Sequence, residues 1–263
     1  MSNLLLPNLP QSPVTHIIMG NNCKAFETLK SMGISITDTV SINKLPIYER
    51  THADMQVLPL DKDTVFLLRE SEQLLPVLEE HYDNVIMCKD ELIRTYPFNT
   101  ALNCAIVKNN IFCRIDFVYD EFLWLAEDYG FNMIDTQNGY AKCSTAVVTE
   151  NAIITDSKDI GKRAREENAV DVLEIPYGGV RFLNTNRGYI GGCCFKLSND
   201  ILAFTGQIKN HPKYEEIKSF CLSHGVFIEE LSDEEMPVDI GGAVIIDTKK
   251  QIGEITKKRK CDD

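Results

Sequence analysis

Apolar and polar positions recur along this chain in one pattern that returns about every 41–49 residues. A short apolar run comes first, followed by an Asn/Asp turn and a second apolar run. Helical spacing then leads to a third apolar run. The second runs begin just after Asp63, Asn110, Asn151 and Asp200. Compact apolar runs bounded by turn residues predict strands, and apolar positions three and four apart predict helices. The first unit therefore reads as strands Met55–Leu60 and Thr64–Leu68, a helix over Glu70–His81 with Leu74, Leu75 and Leu78 on one face, and strand Val85–Met87. The second reads as Leu102–Val107, Ile111–Ile115, helix Tyr119–Tyr129 and Phe131–Ile134. The third is Thr145–Val148, Ala152–Thr155, a polar helix Lys158–Glu167 and Val172–Ile175. The fourth is Cys193–Leu197, Ile201–Phe204, helix Tyr214–His224 and Val226–Glu229.

Fragments flank these four units. Val14–Met19, helix Lys24–Met32 and Ile34–Thr37 precede them, without a leading hairpin. Ala243–Asp247 follows, with a further strand expected over Gln251–Ile255 and no helix. Together the fragments make a fifth unit. Joining the last unit from both termini removes exposed sheet edges. The predicted fold is thus α/β: a five-bladed, pseudo-symmetric propeller of ββαβ units over residues 1–256. Residues 257–263 form a basic tail read as solvated and disordered. An open sheet is the competing topology, but its helices are separated by single strands rather than hairpins.

Composition narrows the function. The net charge of −12 disfavours phosphate backbones, so nucleic acid is not an expected partner. No run of about 18 apolar residues is present, and Met1–Pro7 has too short an apolar run for a secretory signal. Nine cysteines without a CxxC pair read as reduced thiols, and the expected location is the cytoplasm. Cys104, Cys113, Cys194 and Cys221 lie in apolar stretches and read as buried thiols. No motif for a nucleotide or a metal occurs, so no cofactor is expected.

Several strings carry a resemblance: His52-Ala-Asp54-Met, Gly139-Tyr-Ala-Lys-Cys-Ser144, Gly188-Tyr-Ile-Gly-Gly192, Gly206 through His211-Pro212, and Asp239-Ile-Gly-Gly242. With the split five-unit pattern, they resemble the pentein superfamily of guanidino-group-modifying enzymes, and more narrowly an uncharacterised bacterial family with that fold. The resemblance implies a central channel and a Cys nucleophile, a His acid or base, and carboxylates that grip a guanidinium. Penteins carry that Cys in the final unit after a Gly-rich stretch. Here Asp239-Ile-Gly-Gly-Ala243 has none, and Gly188–Gly192 has no His. No catalytic residue transfers by position.

In a closed ring the unit entrances converge on the axis. His52 and Asp54 share the first entrance and, read as strand positions two apart, point the same way. They form either an oriented imidazole–carboxylate pair or a structural pair. Cys143, beside Lys142, is a candidate nucleophile or an inert thiol. These give the catalytic candidates His52, Asp54 and Cys143. The ligand-binding candidates are Lys142, Gly192, Cys193, Asp239, Gly241 and Gly242. Asn210 or His211 reads as a cap with Pro212 opening the fourth helix, and Gly178-Gly179 with Arg181 as a nest or a turn. The expected ligand is a small guanidine-, amidine- or amino-acid-like molecule, cationic in character. The other reading is a non-catalytic binding or assembly protein, monomeric or homodimeric.

Overall fold

The computed structural model describes residues 6–21 and 23–249. The chain opens with β1 (Val14–Met19), α1 (Ala25–Ser31) and β2 (Ser35–Asp38). The first full unit is β3 (Val57–Pro59), β4 (Thr64–Leu67), α2 (Leu75–Glu79) and β5 (Asn84–Met87). The second is β6 (Ala105–Val107), β7 (Asn110–Cys113), α3 (Asp120–Asp128) and β8 (Asn132–Asp135). The third is β9 (Thr145–Thr149), β10 (Ala152–Thr155), α4 (Lys158–Glu166) and β11 (Asp171–Glu174). The fourth is β12 (Cys194–Ser198), β13 (Ile201–Phe204), α5 (Tyr214–Ser223) and β14 (Phe227–Glu230), and β15 (Ala243–Thr248) follows.

Five three-stranded sheets result. In each full unit the first two strands pair antiparallel, and the third returns after its helix to lie parallel to the second. The fifth sheet has the order β15-β1-β2, with β1 antiparallel to β15 and parallel to β2, so it draws on both ends of the described chain. β4, β7 and β10 are buried along their whole length. That is why they read as unbroken apolar runs rather than alternating ones. The third strands are outer edges and more exposed. Neighbouring sheets meet through β15 and β3, β6 and β9, β9 and β12, and β12 and β1. The first and second full units share one apolar core, where the Phe66 and Phe122 rings meet edge to face at 5.2 Å.

Some elements depart from the sequence pattern. The helix expected over Glu70–His81 splits into a 3-10 turn, Arg69–Leu74, and α2, with non-helical backbone at Ser71 (φ −109°). Pro76 lacks an N–H and clashes with a preceding turn, so it sits in the first turn of α2. Pro212 does not open α5. That helix starts at Tyr214, and His211 Nδ1 accepts the Lys213 N–H at 3.0 Å in the turn before it. Gln251–Ile255 and the tail 257–263 lie outside the described residues. Cys104, Cys113, Cys194 and Cys221 are buried free thiols.

Candidate functional site

The segments immediately before each sheet's first strand are hydrogen-bonded to one another. Asp54 N–H donates to Gly241 O at 3.2 Å, and Gly192 N–H to Cys143 O at 3.0 Å. Ile240 and Gly242 N–H both donate to Gly192 O, at 3.0 and 2.8 Å. Asn103 Nδ2 donates to Asp54 O at 3.3 Å, while its Oδ1 accepts the Lys142 and Cys143 N–H groups at 2.9 and 3.1 Å. Asn103, Cys143, Gly192 and Gly241 each stand two positions before their strand. Two glycines permit the close approach. A Cβ at Gly192 would meet Asp239 Oδ1 at 2.0 Å, and one at Gly241 (φ +74°) would meet His52 Cβ at 2.3 Å.

His52, Asp54 and Cys143 come together here, all buried, with one ligand-type atom from each lying within 4.8 Å of the others. His52 and Asp54 are not on a strand. His52 is extended and Asp54 lies in a 3-10 turn, Ala53–Met55, yet both side chains reach the cluster. Cys143 S–H donates to Asp54 Oδ2 at 2.9 Å, and Asn103 Nδ2 donates to Cys143 Sγ at 3.2 Å. Both ring nitrogens of His52, and Asp54 Oδ1, are buried without a hydrogen-bond partner among the described residues. Phe182 packs edge-on against the His52 ring. Burial, Asp54 and Asp239 push the Cys143 thiol well above its ordinary value. The lowering expected from Lys142 does not prevail, because desolvation and two carboxylates oppose ionisation.

Acids dominate the surroundings. Burial raises Asp54, opposed by His52 and Lys142, and it raises Glu49, opposed by His52 and by the Tyr140 hydroxyl. Asp156 is pushed up to about 7 by burial, with Asp239 adding to the shift. Its Oδ2 accepts Ile190 N–H at 2.8 Å, while Oδ1 has no partner among the described residues. Asp239 Oδ2 accepts Tyr189 N–H at 2.9 Å, and Oδ1 accepts Gly241 N–H at 3.1 Å. Lys142 Nζ lies 3.8 Å from where a Gly242 Cβ would stand. Tyr96, Tyr140, Tyr189 and Tyr177 form a row, with centroid spacings of 5.4, 5.7 and 5.3 Å. The Tyr140 hydroxyl donates to Glu49 at 3.2 Å.

Other sequence candidates lie elsewhere. Cys193 is in the core, its S–H on Ile190 O at 3.2 Å. His211 Nε2 faces Gly178 O at 3.0 Å and packs on Gly179, a structural contact. Arg181 pairs with Glu234 at 2.9 Å. Asn103, Asp156, Glu49 and the tyrosine row went unread in the sequence. Asn103 had a findable signal, since it shares the two-before-strand offset with Cys143.

Comparison with solved structures gives the same fold at low identity. An inosamine-phosphate amidinotransferase from Streptomyces griseus superposes with a TM-score of 0.57 at 9% identity, covering 95% of this chain and 98% of that one. A C. jejuni agmatine deiminase gives 0.55 at 8%, covering 92% and 96%. A dimethylarginine dimethylaminohydrolase from Pseudomonas aeruginosa, in complex with citrulline, gives 0.51 at 12%, covering 88% and 96%. No curated protein matches by sequence. The fold is that of the penteins. The profile of a family of unknown function, DUF6873, matches residues 17–244, and the protein belongs to that family.

Proposed function

We propose that the unit entrances line the axis of a five-bladed ring and bind a small cationic molecule bearing a guanidinium or amidinium group. One observation carries this reading: the charge of Asp239 reaches Glu49, Asp54 and Asp156, burial raises the carboxyls of those three, and Lys142 opposes that rise at Asp54. Buried carboxylates with free lone pairs are stabilised by a planar fork of N–H donors. The tyrosine row offers ring faces to the same cation. The structural neighbours named above, an amidinotransferase, a deiminase and a dimethylaminohydrolase, support guanidine-type ligands for this fold. His52, Asp54 and Cys143 stand at the end of the site where chemistry on the ligand would occur. Lys142, Gly192, Asp239, Gly241 and Gly242 shape its wall.

The test is alkylation by 2-chloroacetamidine with mapping of the adducts. Saturable labelling of Cys143, slowed by excess acetamidine but not by neutral acetamide, is the expected result. Labelling confined to the more exposed Cys23 would refute a cation site beside Cys143. A second reading, binding without catalysis, is favoured by the Cys143 thiol, which burial and its acid neighbours hold protonated. Recovery of a guanidine unchanged after long incubation, while acetamidine still protects Cys143, would select it.

A further inference from the structure

We propose that His52, Asp54 and Cys143 are the ligands of a divalent metal ion, with zinc the ion this donor set suits best. An imidazole nitrogen, a carboxylate oxygen and a sulfur lie within 4.8 Å of one another, all on buried residues. Zinc bonds such atoms at about 2.0–2.3 Å, which sets tetrahedral ligand atoms roughly 3.3–3.8 Å apart. Shifts of about an ångström bring this trio to that spacing.

Two further observations point to an ion. His52 is 2% exposed, yet neither ring nitrogen has a partner among the described residues, and Asp54 Oδ1 is in the same condition. An unpaired buried donor or acceptor is costly, and a metal bond satisfies it. The Cys143 proton also sits between Sγ and Asp54 Oδ2, 2.9 Å apart. An ion bound there displaces that proton to solvent and leaves a thiolate beside a carboxylate, whose two charges the dication balances. Asn103 completes the shell. It donates to the sulfur at 3.2 Å, and its own carbonyl is fixed by two backbone N–H groups, as outer partners hold metal ligands in place. Sulfur in the donor set favours zinc over magnesium, calcium or manganese. Three protein ligands leave a fourth position open, as in sites where zinc activates water. No spacing motif announced the site, because two ligands come from the first entrance and the third from an entrance 89 residues on.

This inference goes beyond the cation-binding reading and does not need it, since Glu49, Asp156 and Asp239 remain to hold an organic ligand. The experiment is titration of chelator-stripped wild-type protein with Co2+ as a spectroscopic stand-in for zinc, followed by Zn2+. The expected result at one equivalent is a thiolate-to-cobalt charge-transfer band with the intense visible bands of four-coordinate Co2+, all abolished by Zn2+. Cys143→Ser removes the charge-transfer band, and His52→Ala and Asp54→Asn weaken binding by roughly tenfold or more. A wild-type spectrum with only weak six-coordinate bands, or a charge-transfer band that survives Cys143→Ser, would overturn the proposal. The wild-type spectrum decides even where a variant fails to fold. The titration contains no amidine, and the labelling test can be run on metal-free protein, so either reading can fail alone. Bound zinc is further expected to protect Cys143 from 2-chloroacetamidine.

Discussion

Asp156 offers the sharpest physical check on the acid-rich site. The residue is 8% exposed, and its carboxyl is raised from 3.8 to about 7, chiefly by burial. The folded protein therefore binds a proton more tightly than the unfolded chain, and stability falls as pH rises between those two values. A difference of about 3 units at 1.36 kcal/mol each gives a penalty of about 4 kcal/mol, fully present above about pH 7 and absent below about pH 4. Asp156→Asn resembles the protonated carboxyl. Its amide oxygen still accepts the Ile190 N–H, and no charge has to be buried. The variant should match the parent in urea unfolding near pH 4 and exceed it progressively, by a few kcal/mol near pH 8. Comparing the two proteins at each pH cancels the slopes from Glu49 and Asp54, which both share. A stability gap that is flat with pH, or that shrinks as pH rises, would show that Asp156 is ionised at little cost and that the site is wetter than its packing implies.

Other outcomes follow from single contacts. Asn103→Ala strips the acceptor from the Lys142 and Cys143 N–H groups and should cost about 2–4 kcal/mol in urea unfolding; a loss under half that would mean water replaces the amide. Gly241→Ala combines a positive φ with a Cβ 2.3 Å from His52 Cβ, so a clear drop in melting temperature is expected, and an unchanged one would contradict the tight junction of first and last entrances. Phe66→Ala empties the shared core of the first two units and should cost about 3–5 kcal/mol by denaturant titration, a smaller value meaning that Phe122 collapses into the gap.

Much of the scaffold was legible because each unit repeats the same local chemistry. Asn110, Asn151 and Asp200 mark hairpin turns, and the runs behind them are mostly apolar, since β7 and β10 are buried along their whole length and β13 at all but its first residue. Local exceptions came from competing local effects. Pro76 broke the expected long helix, and the 3-10 turn Ala53–Met55 displaced the strand expected to begin at Met55. The site was partly legible. His52, Asp54, Lys142, Cys143, Asp239 and the glycines stood out because polar or small residues before apolar strands are conspicuous. Asp156 did not, because it follows its strand in the place where an ordinary helix-leading turn would be.

By itself the sequence determined the repeat and the hairpin-then-helix order, because these follow from local periodicity and turn chemistry; that the flanking fragments join as one sheet through β1 and β15 is a long-range pairing that the tertiary structure decided. Only the tertiary structure decided that Cys143 meets Asp54, that His52 is sealed without a hydrogen-bond partner among the described residues, and that Cys193 is turned into the core. Those outcomes depend on how entrances far apart in the chain are brought into register by sheet packing. They also depend on desolvation, which no local pattern encodes and which raises the Cys143 thiol where the neighbouring Lys142 alone would have lowered it.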